Sequence, residues 1–515
     1  MKHTYMQFAD HGQVRPGGAL ADRLARQIAR LERDEYLPPL VFESQSIDTW
    51  PGDWEGRATL SQALTALATG REPVALDATM AELAKRLSGQ GYLGRRLPHP
   101  DADEQQLSGH GWLLRGLCAY YALRKDPKTL FLIEGVVANL FLPLRETYRE
   151  YPTDPELRLG GGNMSGHVFS TTGKWHLSTD TGCAYIPLDG LSDAYCTLPD
   201  SPIKTALGEM VAEMIDQFLA LDPVEMKLQT HATLTATRGI LRMYFAERNE
   251  AYLQAAVRIF DGYVAHGMTV NYENQNWFAR PEWTEPCAVV DSFMVAAQLY
   301  SATGEQRYLP VLNRILYNGM LRTQRDNGGF GCDTCATDGV LRTHCYEAWW
   351  CCSMRGGEGL SACVRYAYMT DDCTIIVPYM TESEADLTVG GKQVHVSAKT
   401  EYPYACRTTY TLTGDTEGVM LAIYLPGRGL CRFAPDARGV VTVDVELHII
   451  KEKAVVGEGS VLMLGDLMLG KELNGVAHPG AVTMVGYGDL VPLCDCYLLS
   501  ESDAVKSALQ VMFGD

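Results

Sequence analysis

The chain has 515 residues, 46% apolar and 21% charged, with a formal net charge of −19. This length asks for two or three domains, and no stretch approaches the roughly 18–20 continuous apolar residues of a membrane span. So acidic a chain does not suit a phosphate backbone, which needs a basic surface. The opening, Met1 to Val14, is polar and lacks the apolar core of a signal peptide. The expectation is a cytoplasmic protein with no nucleic-acid or membrane partner, acting on a neutral or small substrate.

Leu20, Leu24, Ile28 and Leu31 fall on one face of a first helix. Asp53 is placed to cap a second, which carries Leu60, Leu64 and Leu67 and stops at Gly70. Met80, Leu83, Ala84 and Leu87 mark a third. Further amphipathic runs lie near 109–124, 128–145, 204–220, 231–246, 250–266, 287–302, 306–321 and 354–369, about eleven helices in all. Short polar turns separate them at Thr69-Gly70, Lys125-Asp126, Arg248-Asn249 and Thr303-Gly304. Two of those gaps are about 55 residues long and the middle one about twice that, the spacing of stacked αα-hairpins. Eleven or twelve helices in hairpins suggest an (α/α) toroid with its loops gathered at one end, and a solenoid is the rival arrangement. Residues 150–200 interrupt the pattern with a polar, glycine-rich segment holding Gly160-Gly161-Gly162, His167, Trp175, His176, Asp180, Asp189 and Asp193. It reads either as a functional loop or as a surface excursion.

After about residue 371 the apolar period changes to two. Thr374–Met380, Ala385–Val389, Gln393–Ala398, Thr408–Leu412, Val419–Leu425, Val440–Leu447 and Ser460–Leu464 read as strands, with Gly390-Gly391 as a tight hairpin turn. The expected organisation is a helical catalytic domain at 1–370, a β-sandwich at 371–480 and an unassigned segment at 481–515.

There are 15 cysteines, an odd number, which points to reduced thiols, metal ligands or a nucleophile rather than a disulfide framework. Glu285 and Cys287 stand at a helix start, with Pro286 suited to its first turn, and Cys351-Cys352 precede another helix. Helix N-termini favour anions and lower thiol pKa values. A Cys₃Glu set would suit tetrahedral zinc. A buried small hydrophobe is the plain alternative for any one of these cysteines. Cys332, Cys335 and Cys345 form a competing set with more familiar structural spacing. Glu273, Glu282 and Glu285 share a segment rich in Asn, Trp and Arg, where a glutamate can act as general acid or base. His110 and His231 each sit within or at the start of an apolar helix, where a histidine is more often a satisfied core residue.

At these residues the chain resembles the β-L-arabinofuranosidases of glycoside hydrolase family 127 and their relatives. The likeness rests on Glu285-Pro286-Cys287, Cys351-Cys352, Leu316-Tyr317-Asn318-Gly319, Thr400-Glu401-Tyr402-Pro403-Tyr404 and Leu421–Pro426. It implies a mainly α fold with β, an (α/α)6 barrel followed by a β-sandwich domain. It further implies zinc (Zn2+) held by Glu285, Cys287, Cys351 and Cys352, with Cys351 the nucleophile. Glu273 is the best match to the acid/base, with Glu282 as the fallback, and His231 and His110 resemble sugar-holding histidines. The sequence departs from the family after the cysteine pair, where Ser353-Met354-Arg355-Gly356 replaces a proline-containing turn, and in the 150–200 segment.

The expected activity is that of a retaining exo-glycoside hydrolase releasing a furanosyl sugar such as β-L-arabinofuranose. Its partner would be a small oligosaccharide or glycoside, with a homo-oligomer as an option. A non-catalytic, zinc-stabilised carbohydrate-binding protein and an (α/α) toroid lyase or epimerase are the other classes considered.

Overall fold

The computed structural model describes residues 6–43, 49–87, 89–161, 166–484 and 488–514. Gly162, in the triple-glycine run, lies outside them. Among the described residues twelve helices build a double ring. In chain order they are α1 (Gly18–Leu31), α2 (Asp53–Thr69), α3 (Leu76–Leu87), α4 (Glu104–Arg124), α5 (Lys128–Val136), α6 (Pro187–Thr197), α7 (Pro202–Leu219), α8 (Thr230–Glu247), α9 (Glu250–His266), α10 (Pro286–Thr303), α11 (Tyr308–Arg314) and α12 (Cys352–Arg365). The even-numbered helices form the inner ring: each packs on the next, and α12 closes back on α2. The odd-numbered helices lie outside, α3 on α2, α5 on α4, and so on round to α1, which rests on α12 and α2. This is an (α/α)6 barrel, and ring closure excludes the solenoid.

Burial follows from the two rings. The outer helix α1 buries one stripe, including Leu24, Ile28 and Leu31, whereas α10 buries nearly every residue from Pro286 to Ala302. Inner helices can approach closely only where a side chain is missing. A Cβ on Gly56 would lie 2.3 Å from the Leu113 backbone nitrogen, and one on Gly190 2.2 Å from the Gly111 carbonyl oxygen.

The four turns marked in the sequence share one geometry. Gly70, Lys125, Arg248 and Gly304 end their helices in the left-handed region, with φ of 71°, 54°, 60° and 70°. Each donates its N–H to the carbonyl four residues back, of Ala66, Tyr121, Tyr244 and Tyr300 respectively.

The 150–200 segment is not wholly a loop. It contains the strands Val168–Thr172 and Trp175–Ser178 and then α6, an inner-ring helix. Asp189 and Asp193 gave α6 the look of a polar loop, but both carboxylates lie inside the barrel. Asp189 takes Nε of Arg115 at 2.8 Å and Nη2 of Arg242 at 2.9 Å, and Asp193 pairs with the same two arginines. The network continues through Arg238, at 2.7 Å from Asp291 and 2.6 Å from Glu358, to Arg355, which pairs with both acids. Four arginines and four carboxylates thus balance across five inner helices.

Beyond α12 the chain turns to β-structure. One five-stranded sheet holds Gln7–Phe8, Met369–Thr370, Thr374–Val377, Met420–Leu425 and Gly429–Phe433. The other holds Val440–Val445, Cys406–Gly414, Lys392–Thr400, Ser383–Val389 and Val14–Pro16. Alternating burial along Cys406–Gly414 and Ser383–Val389 explains why these strands are legible. Gly390 and Gly391 both have positive φ and close the two-residue hairpin loop between Val389 and Lys392.

The β-structure also draws on chain outside 371–480: two N-terminal strands complete the sandwich sheets. Ser460–Leu464, expected in the sandwich, belongs instead to a third, eight-stranded sheet. There Ala508–Gln510 pairs with Val340–Cys345, a strand from the segment just before α12.

Candidate active site

The cluster is built on the N-termini of inner helices. Glu285 is the N-cap of α10 and Cys287 its second residue; Cys351 is the N-cap of α12 and Cys352 its first. One ligand atom from each of these four residues lies within 4.8 Å of all the others, the only such group of His, Cys, Asp or Glu among the described residues. Cys287 Sγ stands 3.8 Å from Cys352 Sγ, which is 3.3 Å from Cys351 Sγ. A tetrahedral zinc with Zn–S bonds near 2.3 Å needs sulfur–sulfur edges of about 3.8 Å, so the donor set fits a zinc ion in type and number, and the Cys287–Cys352 pair fits it in spacing.

The electrostatics point the same way. Burial pushes the Glu285 carboxyl well above its ordinary value, and Cys287 and Asp180 add to that. Burial would likewise raise the Cys287 thiol. Hydrogen bonds from Cys351 and Cys352, with His231 and Arg57 nearby, bring it well below the ordinary range instead. Cys351 is raised by its bond to Cys287, and Cys352 by burial and by the same neighbour. One thiolate is thus shared among three sulfurs, and a bound cation would reverse the pressure that keeps the others protonated.

Residues not foreseen from the sequence hold this group in place. Arg57, bonded to Asp53 at 2.7 Å, directs Nη1 at Cys287 Sγ at 3.6 Å. Gln229, the N-cap of α8, donates to Glu285 Oε2 at 3.3 Å, and Asn274 Oδ1 accepts the Glu285 N–H at 3.0 Å. Cys332, assigned from spacing to a separate set, is near enough to Cys352 to help raise that thiol. Cys345 lies opposite Cys332 in a strand pair, and Cys335 faces the Asn274 carbonyl. The only signal available for Arg57 was its four-residue spacing from Asp53 on one helix face.

The two histidines differ. His231 Nδ1 lies 2.9 Å from Asp291 Oδ2, its ring is stacked on Trp112 at 5.6 Å, and its buried Nε2 has no protein partner. The carboxylate fixes the proton on Nδ1 and leaves Nε2 as an acceptor, open to a sugar hydroxyl. His110 is a core residue. Its Nε2 accepts the Leu93 N–H at 2.9 Å and its Nδ1 meets the Gln106 carbonyl at 2.7 Å, which leaves no ring nitrogen for a sugar.

Glu273 is fully buried. Its Oε1 accepts from Asn271 at 2.8 Å, and its Oε2 has no hydrogen-bond partner among the described residues. Burial and the neighbouring Asp333 raise its carboxyl well above the ordinary carboxylate value. Its neighbours are Asn271, Thr284, Asp333 and Arg322, whereas the side chain of the next residue, Asn274, is the one turned to Glu285. Glu282 is exposed beside Arg280.

Comparison with known proteins points to one enzyme class, the glycoside hydrolases. Within that class, residues 220–364 match the family model for the GH127 catalytic domain of β-L-arabinofuranosidase, a span that takes in Glu285, Cys287, Cys351 and Cys352. A GH127 β-arabinofuranosidase structure superposes with a TM-score of 0.70 at 13% identity, over 100% of this chain and 99% of that one. A second glycoside hydrolase gives 0.66 at 12%, over 100% and 98%. A GH127 β-L-arabinofuranosidase from Geobacillus stearothermophilus T6 gives 0.58 at 12%, over 91% and 88%. No curated protein matches the chain. The family that this glycoside hydrolase resembles is therefore GH127.

Proposed function

We propose that the chain is a retaining exo-glycosidase that releases a furanosyl sugar such as β-L-arabinofuranose, with Cys351 as its nucleophile. The convergence of Glu285, Cys287, Cys351 and Cys352 at two inner-helix N-termini carries this reading. Zinc is the cation these four residues would hold, and when bound it would keep the thiols deprotonated and fix their direction.

The residues then divide the work. The Cys351 sulfur attacks the anomeric carbon and forms a C–S bond as the bond to the leaving oxygen breaks. Glu273, whose carboxyl burial raises, gives its proton to that oxygen. A water molecule then attacks the same carbon, Glu273 takes its proton, and the C–S bond breaks to free the sugar with retained configuration. His231 Nε2 accepts from a hydroxyl of the bound sugar.

The deciding experiment combines metal content with hydrolysis of nitrophenyl furanosides and pyranosides under reducing, anaerobic conditions. One zinc per chain and furanoside turnover are expected, with Cys351→Ser reducing kcat on the order of 10³-fold or more. Near-normal turnover by that variant ends the nucleophile assignment. Glu273→Gln is expected to lose activity on poor leaving groups and keep part of it on activated aryl glycosides. If Glu282→Gln shows that pattern instead, the proton donor is reassigned.

A further inference from the structure

Two large indoles stand in the open immediately before Cys351. Trp349 is 38% exposed and Trp350 49%. An apolar ring left in water is a cost the fold normally avoids, and an exposed aromatic cluster at the edge of a site marks a contact surface. This cluster is ordered. Trp54, at the start of α2, meets Trp349 at 5.0 Å and 56°, and Trp349 meets Trp350 edge-on at 5.7 Å and 84°. The backbone beneath is pinned. Tyr36 donates its hydroxyl to the Trp349 carbonyl at 2.8 Å, and the Ala348 N–H bonds to Phe330. The Ala348 carbonyl in turn accepts the N–H groups of Cys351 and Ser353. Beneath the platform, Trp54 Nε1 is buried and has no hydrogen-bond partner among the described residues.

The polar groups suited to the reacting sugar, Gln229 and His231, are buried beside the cluster, whereas the indoles next to Cys351 in the chain are open to solvent. A leaving group departs toward solvent, so the ring bonded to the reacting sugar is the one that meets Trp349 and Trp350. We infer that Trp54, Trp349 and Trp350 form a leaving-group subsite that stacks on a ring with a flat apolar face. Either a second sugar or an aromatic aglycone presents such a face, with C–H or ring edges against the negative face of the indole. This inference rests on the hydrolase reading above.

The test compares three substrates: a β-L-arabinofuranosyl disaccharide, 4-nitrophenyl β-L-arabinofuranoside and methyl β-L-arabinofuranoside, the last having no ring to stack. The readout is kcat/KM for each ring-bearing substrate divided by that for the methyl glycoside. Trp350→Ala and Trp349→Ala are each expected to lower this ratio about 10-fold, chiefly through KM. A fall with the disaccharide alone identifies a sugar-ring subsite, and one with the nitrophenyl glycoside alone identifies an aryl subsite. An unchanged ratio for both overturns the inference. If the native protein hydrolyses none of the three, tryptophan emission during titration with the disaccharide decides. A change in emission that Trp350→Ala abolishes keeps the platform and removes the hydrolase reading, and no such difference removes the platform.

Discussion

Glu55 is a carboxyl group with nothing to bond to. It is fully buried near the start of α2, and neither oxygen has a hydrogen-bond partner among the described residues. Burial, aided by the charge of Asp53, raises it from 4.5 to about 7. The sign of the consequence follows. Below pH 4.5 the group is protonated in both folded and unfolded chains and costs nothing. The penalty grows between 4.5 and 7 and is complete above that, reaching at most about 3 kcal/mol. Glu55→Gln is therefore expected to stabilise the protein at pH 8 and much less at pH 5. Urea denaturation at the two values checks this, and an unaltered difference between them refutes it. Glu55 carried no signal in the sequence, because burial depends on helices that arrive later in the chain. Glu285, Cys287, Cys351 and Cys352 were legible for the opposite reason: each pair is local, and a helix start can be read from a proline or a cap. Arg57 and Gln229 complete the cluster from positions 230 and 56 residues distant from the groups they bond, a relation that only the closed ring creates.

Among elements, the outer helices were plain in the sequence because one apolar stripe repeats at helical spacing. The inner helices were fainter, since they are buried all round, and α6 went unseen because its aspartates serve arginines on α4 and α8. The hairpin turns were visible through glycine at two positions and only through polarity at Lys125 and Arg248. Those two residues hold left-handed backbone that favours glycine. Lys125→Gly and Arg248→Gly are each expected to stabilise the fold by roughly 1 kcal/mol, and Gly70→Ala and Gly304→Ala to weaken it by a similar amount. Midpoints of chemical denaturation measure both directions. A loss of stability in the glycine variants would mean that the long side chains, not the backbone geometry, secure these ends.

At the scale of the whole molecule, the charge network joins five inner helices through the barrel. Burial alone would raise Asp189, but Arg238, Arg115 and Arg242 hold it well below the carboxylate range; Arg355 and Arg238 do the same for Asp291. Such groups add stability that is complete above about pH 4 and is lost as pH falls further toward their folded values. Acid unfolding is thus expected to steepen below about pH 4. Arg238→Met should cost about 3–5 kcal/mol at neutral pH, because it strands buried carboxylates. Denaturation midpoints between pH 3 and 7 test both statements. The pairing of Ala508–Gln510 with Val340–Cys345 has a consequence for synthesis. When the ribosome has delivered the cysteine pair, the strand just upstream of it still has one edge open, and its partner is still about 155 residues from being made. The closing contact joins strands about 170 residues apart, and closing so long a span is slow. The nascent protein therefore carries its clustered thiols beside an unfinished sheet until that late strand arrives. Oxidants and stray metal ions in the cell have that interval in which to reach them.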